Sequence, residues 1–270
     1  MLEDRSANTT PSGAPHTVGR ASMRVIALTA LPLTKPGSVG VESSCATCYL
    51  QSACLPSGLT PEALIAVDEL ARTKRKVRRG VALYRRGERF ESLYAIHSGS
   101  FKSVGIGRDQ QEQKVTALHL PADLLGLEAI SSEVHEYDAI ALEDSEVCVV
   151  PYAQLTRLTL GRAPLQAHLM GALSRDIARD GGLLLRLGGL TAEERLGAFL
   201  LGLSERYERL GCDGTRFSVR MKREDIASYL GLTIETISRV LSRLQREGLV
   251  KSQHRNVTIT DLSRLRQLAG

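Results

Sequence analysis

MKREDIASYLGLTIETISRVLSRLQREGLV, residues 221–250, decides the fold of the C-terminal part of the chain. An apolar stripe predicts a first helix, and Gly231 permits a sharp turn after it. Thr233 is a typical N-cap for a second helix. The residues of that second helix that should face inward are Ile237, Val240, Leu241 and Leu244. The stretch therefore predicts two helices joined by a tight glycine turn, a helix-turn-helix unit.

The outward face of the second helix is polar and basic, and Glu235, Ser238 and Arg239 lie on it. In a helix-turn-helix unit this helix enters the major groove of DNA. There, an arginine such as Arg239 can donate hydrogen bonds to guanine O6 and N7, and Glu235 can accept a hydrogen bond from a cytosine amine. The side chains expected to meet phosphates are Lys222, Arg223 and Arg243. GLVKSQHRNVTIT (248–260) follows as a predicted β-hairpin wing.

Charge supports a nucleic-acid partner for this region. The chain has 270 residues and a net charge of +5. Residues 216–255 hold nine Lys or Arg against four acids, an excess equal to that of the whole chain. Hydrophobic residues make up 43%, enough for packed cores. No run of about eighteen apolar residues occurs, so we expect no membrane-spanning helix and a cytoplasmic location.

The N-terminal half has a different pattern. Residues 1–42 are rich in small and polar residues, which predicts a disordered leader. From about residue 77 to 152, short apolar runs alternate with glycines, which predicts an antiparallel barrel or roll. A generic β-sandwich is the alternative at this stage. Gly87, Gly99 and Gly126 lie where turns need positive φ or close backbone approach.

A helical stripe follows at about residues 163–188. Its members are three or four residues apart, as in a coiled-coil seam. They are Leu173, Ile177, Asp180, Leu184 and Leu187. An intramolecular core helix would show the same stripe. In a parallel dimer, Asp180 would face its own copy, and two buried carboxylates repel each other, which would make the dimer marginal and easy to switch.

Three of the five cysteines form a C-x2-C-x5-C pattern, at Cys45, Cys48 and Cys54. Closely spaced thiolates from one loop suit zinc or an iron–sulfur cluster, and each needs about four ligands. The fourth must come from a distance, and spacing alone leaves Cys148 and Cys212 both open. A dithiol oxidoreductase is a third possibility, but its C-x2-C motif normally opens a helix in a βαβ unit, whereas here the motif follows a predicted disordered leader and precedes an all-β roll. We therefore expect no enzyme.

The order of β-roll, long central helix and winged helix-turn-helix resembles the Crp/Fnr family of transcription regulators. The resemblance covers roughly residues 43–270. It implies an α+β fold: a cyclic-nucleotide-binding-like β-roll sensor domain with the cysteine loop (43–162), a dimerisation helix (163–189) and a winged helix-turn-helix domain (190–270). It also implies that Glu235, Ser238 and Arg239 read bases in a palindrome with TTGAT-like half-sites.

A β-roll of this family often holds a cyclic nucleotide, which requires a cation for the cyclic phosphate. The corresponding stretch, GLEAISSEVHEYDAIAL (126–142), contains no Arg or Lys. Its four acids, Glu128, Glu133, Glu136 and Asp138, would repel a phosphate. We therefore expect no cyclic nucleotide.

The cysteines resemble those of the oxygen-sensing FNR branch, which includes ANR-like members. That resemblance implies that Cys45, Cys48, Cys54 and Cys148 hold a 4Fe–4S cluster. It further implies that oxygen converts the cluster to 2Fe–2S, that the homodimer then separates, and that DNA is released. Such regulators act through RNA polymerase, and GIGRDQQEQ (105–113) is a candidate polymerase contact. The alternative is the same fold with a zinc or thiol redox site.

Overall fold

The computed structural model describes residues 44–107 and 113–270. The predicted leader, residues 1–42, and most of the 105–113 loop lie outside those ranges, so both predictions stay untested. Within them, no helix combines the length and apolar character needed to cross a membrane.

The described chain opens with tight turns over residues 44–57, followed by α1 (Pro61–Leu70). The sequence explains this helix: the Thr60 side chain accepts from the Ala63 amide, and Pro61 occupies the first turn. Glu62 adds a favourable charge at the N-terminus. Sequence reasoning missed α1, although Thr-Pro-Glu was a readable start signal.

Eight strands form the β-roll. They are β1 (Lys74–Val77), β2 (Ala82–Tyr84), β3 (Ser92–Ser98), β4 (Phe101–Ile106), β5 (Gln113–His119), β6 (Leu124–Leu125), β7 (Asp138–Ala141) and β8 (Ser145–Pro151). Two antiparallel sheets result, with orders β1-β8-β3-β6 and β2-β7-β4-β5, so β1 and β2 are edge strands. Phe101, Ile96 and Val147 are fully buried in the core of the roll.

The turn glycines behave as expected. Gly87, Gly99 and Gly126 have φ values of 81°, 84° and 92°, which confirms the predicted positive φ. At Gly99 the approach of the backbone is also close, because a Cβ there would collide with Ser145. These positions fix where the strands reverse, and so fix the register that places Cys148 in the first sheet.

Two helices leave the roll, α2 (Tyr152–Thr159) and α3 (Ala163–Gly189). The N-terminal half of α3 packs on the roll through Leu165 and Leu169, which are buried. The helix continues through Gly181-Gly182, although each glycine costs about 1 kcal/mol relative to alanine. The C-terminal half buries no residue in this single chain.

The C-terminal domain contains the remaining elements. They are α4 (Ala192–Arg209), β9 (Arg216–Ser218), α5 (Arg223–Leu230), α6 (Ile234–Arg246), β10 (Val250–Gln253), β11 (Asn256–Ile259) and α7 (Leu262–Ala269). A capping box between Thr191 and Glu194 starts α4. The strands form a sheet of order β10-β11-β9, in which β10 and β11 are the predicted wing. The α+β class and the winged helix-turn-helix are thereby confirmed.

Candidate metal centre and nucleic-acid interface

The cysteine loop is a chain of tight backbone turns. The Gln51 amide donates to the Cys48 carbonyl at 3.0 Å, and the Cys54 amide donates to the Leu50 carbonyl at 2.9 Å. Leu50 and Leu55 are buried and anchor these turns. At the start of the loop, the Cys45 amide donates to Asp68 Oδ1 of α1 at 2.5 Å. The loop is therefore held by α1 and by its own leucines, and its three cysteines are half-buried.

Cys148 lies far away in sequence but close in space. It occupies the middle of β8, where its register partners are Lys74 of β1 and Ala95 of β3. β8 is thus an interior strand of its sheet. A position between two neighbours fixes the thiol rigidly, whereas the other three thiols depend on the loop.

Three of the cysteines have raised pKa values, and neighbouring thiols contribute to each. Burial, Asp68 and the charges of Cys148 and Cys54 raise the pKa of Cys45 to about 12. Burial also raises the pKa of Cys54 to about 12, and the charges of Cys148 and Cys48 add to the effect. For Cys148, burial and the charge of Cys48 outweigh Lys74 and raise the pKa to about 11. Cys148 therefore lies within electrostatic range of the loop thiols.

The chemistry of this donor set suits a thiophilic metal group. All five cysteines are free, so no disulfide competes for the thiols. Iron or zinc would have to displace protons that burial currently holds on the sulfurs. Across residues 44–107 and 113–270, no three His, Cys, Asp or Glu side chains converge closely enough to hold a single ion. Cys212 is exposed, and it lies in the loop between α4 and β9.

Tyr49 connects the loop to the roll, which the sequence did not reveal. Its hydroxyl donates to the His97 carbonyl at 2.5 Å, and the two rings meet edge to face. Burial and the charge of the adjacent Cys48 raise the pKa of Tyr49 to about 12. This contact holds Cys48 against the end of β3.

One apolar cluster joins the thiols to the long helix. Cys45, Cys54 and Cys148 pack against the same buried group as Leu169 and Leu173 of α3. Leu173 is the first residue of the predicted seam. A rearrangement of the loop therefore changes the surroundings of α3 directly.

The middle of the predicted seam is exposed in the single chain, whereas Leu173 and Leu187 at its two ends are half-buried. Ile177 and Leu184 are 72% and 71% exposed, large values for such apolar residues. Asp180 lies between them and is exposed, and burial and Asp176 raise its pKa. Met170 is 50% exposed and extends the stripe by one position, a residue that sequence reasoning missed. Leu187 is half-buried, with its Cδ2 atom close to Gly231.

The helix-turn-helix has the predicted geometry. Gly231 adopts φ 62° and ends α5, and the Thr233 hydroxyl accepts from the Thr236 amide at 3.2 Å to start α6. The four apolar residues named for the second helix are all buried. On the opposite face, Glu235 and Arg239 are exposed and Ser238 is half-buried. This face is therefore open to a partner.

The three predicted phosphate contacts differ in their surroundings. Lys222 and Arg223 are exposed at the start of α5. Arg243 pairs with Glu193 of α4 and, at 2.7 Å, with Glu247. Its guanidinium would have to leave or share these carboxylates to reach a phosphate.

The roll and the C-terminal domain meet at β4, β5 and the following turn. Lys102 Nζ lies 2.5 Å from Asp225 Oδ1 of α5. The Asp123 carboxylate pairs with Arg206 of α4 and, at 3.4 Å, with Arg179 of α3. These ion pairs connect the β-roll, the long helix α3 and the C-terminal domain, which contains α4 and α5.

His119 lies buried at the same junction. Its Nε2 is 2.8 Å from Ser103 Oγ, and its Nδ1 has no hydrogen-bond partner among the residues described. Burial lowers the pKa of His119 to about 3, so the ring is neutral at physiological pH.

Two acids of the stretch from Gly126 to Leu142 form hydrogen bonds within the roll. Glu128 Oε1 lies 3.1 Å from Nδ1 of the buried His135, whose ring stacks on Tyr84. Asp138 Oδ1 accepts from the Arg86 amide at 2.8 Å. Glu128 and Asp138 are thus engaged in contacts within the roll.

Comparison with known proteins supports this assignment of domains. Residues 74–160 match the cyclic nucleotide-binding domain family, and residues 194–268 match the Crp-like helix-turn-helix domain. The structure of FixK2 from Bradyrhizobium japonicum superposes with a TM-score of 0.66 at 30% identity, covering 73% of this chain and 97% of that one.

Relatives match along most of the chain. The transcriptional regulatory protein btr of Bordetella pertussis is 38% identical, over 84% of this chain and 93% of its own length. The transcriptional activator Anr of Pseudomonas aeruginosa is 37% identical, over 85% and 93%. The fumarate and nitrate reduction regulatory protein of Vibrio cholerae is 37% identical, over 87% and 96%. With both domains and these full-length relatives, the chain belongs to the Crp/Fnr family of DNA-binding transcription regulators, on its Anr/Fnr side.

Proposed function

We propose that this protein is an oxygen-responsive regulator in which Cys45, Cys48, Cys54 and Cys148 hold a 4Fe–4S cluster. The single observation that carries the proposal is the packing of Cys45, Cys54 and Cys148, from the loop and from β8, against one apolar cluster. In that site the cluster would supply an oxygen-labile link, converted to 2Fe–2S on exposure to oxygen. The names of the relatives, which include anaerobic regulators, point to the same signal.

The chain's own residues transmit the state of the loop to the dimer seam. Cys45, Cys54 and Cys148 share one apolar cluster with Leu173, so the packing of the loop influences α3. In the homodimer, Ile177 and Leu184 would be buried against the partner, and the two Asp180 carboxylates would face each other. A tenfold to hundredfold change in the dimerisation constant requires only about 1.4–2.8 kcal/mol of difference in dimer stability.

A dimer presents two α6 helices to the two halves of a palindrome. Arg239 and Glu235, with Ser238, would read bases of TTGAT-like half-sites, and Lys222, Arg223 and Arg243 would hold phosphates. The bound dimer would then act through RNA polymerase.

The test is anaerobic purification, followed by iron, sulfide and zinc analysis, an absorbance spectrum and sedimentation before and after air. We expect about four irons and four sulfides per chain, a brown colour, and a dimer that separates in air. Stoichiometric zinc, no visible band and a mass unaffected by air would contradict the proposal. That result would leave a DNA-binding regulator with a zinc or thiol site.

A further inference from the structure

A cavity of about 720 Å³ lies between the β-roll, the long helix α3 and α4. Ser52 and Cys54 of the cysteine loop form part of its wall. Sites for small molecules in proteins typically have volumes of roughly 300–1,000 Å³. The cavity is therefore large enough to hold a small organic molecule.

The charged side chains of this cavity are mostly arginines. Five arginines against two acids, Asp123 and Glu205, leave an excess of three positive charges. The five are Arg175, Arg179 and Arg186 of α3 and Arg206 and Arg209 of α4. A concave site lined by charges of one sign concentrates ligands of the opposite sign. The cavity therefore favours an anion with about three negative charges.

Two of the five arginines already bind a carboxylate of the chain. Arg206 pairs with Asp123, and Nη1 of Arg179 lies 3.4 Å from the same carboxylate. This structural role does not extend to the other three. Among the described residues, no ion pair or hydrogen bond is formed by the side chains of Arg175, Arg186 and Arg209. Three guanidinium groups are therefore available to a ligand.

Two glycines of α3 leave room for guanidinium groups along the helix. A Cβ at Gly171 would lie 3.3 Å from Nη1 of Arg175, and a Cβ at Gly182 would lie 3.5 Å from Nη1 of Arg186. In both cases the glycine lies four residues before the arginine, on the same face of the helix. Glycine is unfavourable inside a helix, and here it frees the surface on which each guanidinium lies.

The arginines of α3 face away from the proposed dimer seam. Arg175 and Arg179 each lie two residues from Ile177. Arg186 lies two residues from Leu184. Two residues correspond to about 200° around an α-helix. A partner chain packed on the seam would therefore leave the cavity on the opposite side of α3.

Two of the available guanidinium groups lie towards the same end of the cavity. Arg179 and Arg206 meet at one carboxylate although 27 residues separate them, so α4 runs back along α3. Arg175 lies one turn before Arg179, and Arg209 lies one turn after Arg206. Both steps lead in the same direction, away from the junction of the two helices.

The other end of the cavity lies near that junction. Arg186 is about 16 Å along α3 from Arg175. The end of α5 lies beside it, because Arg195 donates to the carbonyls of Leu187 at 2.9 Å and of Leu230 at 3.2 Å. The half-buried ring of Tyr229 therefore lies towards this end, and it also lines the cavity.

The remaining lining is apolar. It includes three buried leucines, Leu120, Leu124 and Leu203. Tyr229 packs against Phe199 with ring centroids 5.8 Å apart, which adds a planar aromatic surface. Nucleobases stack favourably on aromatic side chains and on the planar guanidinium of arginine. The ligand that fits combines an anionic end with a planar, apolar body.

We propose that this cavity binds a nucleoside diphosphate. Its two phosphates would bind Arg175 and Arg209, whose planar forks match phosphate oxygens. Its base would lie between Arg186 and Tyr229 at the other end. A diphosphate ester carries about three negative charges at neutral pH, which equals the excess of positive charge in the cavity.

Equilibrium dialysis of the full chain, purified anaerobically and kept free of Mg²⁺, tests this proposal. We expect ADP or GDP to bind at about one per chain with a Kd of roughly 10–100 µM. Adenosine lacks the phosphates, pyrophosphate lacks the body, and cyclic AMP has a single charge. Each of these three should bind at least about tenfold more weakly than ADP.

A double variant tests the position of the phosphates. Changing Arg175 and Arg209 together to Gln should weaken ADP binding at least about tenfold, because two charge-assisted hydrogen-bonding groups are lost. The matched control changes Arg72 and Arg157 to Gln. Both are exposed arginines outside the cavity, so this control should keep its affinity within about twofold. Circular dichroism checks that both variants fold.

Absence of ADP and GDP binding, or an equal loss of affinity in the two double variants, would overturn the proposal. Pyrophosphate that binds as tightly as ADP would exclude a nucleoside ligand. Loss of ADP binding in Arg239→Ala would assign the nucleotide to the outward face of α6 instead. Retained binding in Arg239→Ala, with loss in the Arg175 and Arg209 variant, would support the cavity even if base reading by α6 failed.

Discussion

The helix-turn-helix unit of α5, Gly231 and α6, which we call the reading half, differs in construction from the proposed cysteine centre of Cys45, Cys48, Cys54 and Cys148. The first is built by local contacts and the second by distant segments of the chain. Within 26 residues, α5, its glycine turn and α6 contain their own caps, core and outward face. The cysteine centre needs a loop that begins at Cys45 and a strand that carries Cys148, joined only when β8 pairs with β1 and β3. The contrast shows that a site made by local contacts tolerates changes elsewhere, whereas a site made by distant segments depends on the whole domain.

The largest expected effect is the loss of the cysteine centre. In the proposed centre Cys148 is the one ligand that comes from the roll, so we expect Cys148→Ser to lower iron from about four per chain to near zero. Cys212→Ser is the matched control, because that thiol is exposed and lies in another loop, and it should retain full iron. Anaerobic iron analysis measures both variants.

The same Cys148→Ser chain should keep a folded reading half, which native-state hydrogen exchange of α5 and α6 would show as unchanged protection. Loss of protection in α5 and α6 would contradict the independence of the two regions, because it would show that the helix-turn-helix unit depends on the cysteine centre for its stability.

The next effect concerns base reading. Arg239→Ala removes an exposed side chain from the outward face of α6, and we expect a loss of about 1–3 kcal/mol per half-site with relaxed sequence preference. Arg246→Ala, a charge change at the far end of the same helix, should cost much less and should not alter preference. Titrations of cognate and single-mismatch duplexes make the measurement. Equal losses for the two variants would show that charge, not base reading, governs this helix.

Asp180→Ala tests the link between the two regions. Removing a carboxylate from the seam should strengthen the dimer by roughly 1–3 kcal/mol and keep it associated in air, because two like charges no longer meet. Asp180→Asn keeps the shape and should act in the same direction. Sedimentation gives the dissociation constant. An unchanged constant in both variants would place the dimer contact on another face of α3.

The smallest effect comes from His119 at the junction of the two regions. Its pKa is lowered to about 3 in the folded chain, whereas the unfolded chain takes up a proton near pH 6.5. The contribution of His119 to stability is therefore complete above pH 6.5 and falls as pH decreases towards 3. Between pH 6.5 and 5.5 we expect the free energy of unfolding to drop by about 1 kcal/mol.

Urea titrations at both pH values measure this drop, with His119→Gln as the control that lacks the titrating ring. The pKa of His97 is also lowered by burial. Its contribution to the pH dependence is the same in the wild type and in His119→Gln, so it cancels in the comparison. An identical pH dependence in the two chains would contradict the assignment to His119.

Sequence predicted the local unit almost completely. The apolar spacing and Thr233 fixed the buried and exposed faces of α6, because a helix places its residues by local geometry. For the cysteines, spacing left Cys148 and Cys212 open, since no local rule says which distant strand lies beside a loop. The family resemblance favoured Cys148, and in the fold that residue packs against the same apolar cluster as Cys45 and Cys54.

Other features escaped sequence reasoning for the same reason. The Tyr49 hydrogen bond to His97 and the ion pairs of Asp123 with Arg179 and Arg206 join residues far apart in the chain.

The long separation between the loop and β8 has a consequence for how the protein is made. Residues 55–147 must follow Cys54 out of the ribosome before Cys148 appears, which takes about 5–20 s at bacterial rates of synthesis. During that interval β8 has not yet been synthesised, so Cys45, Cys48 and Cys54 cannot pack beside Cys148. In the proposed centre the fourth ligand arrives only with β8, the last strand of the roll, so the centre can be completed only after the domain around it has folded.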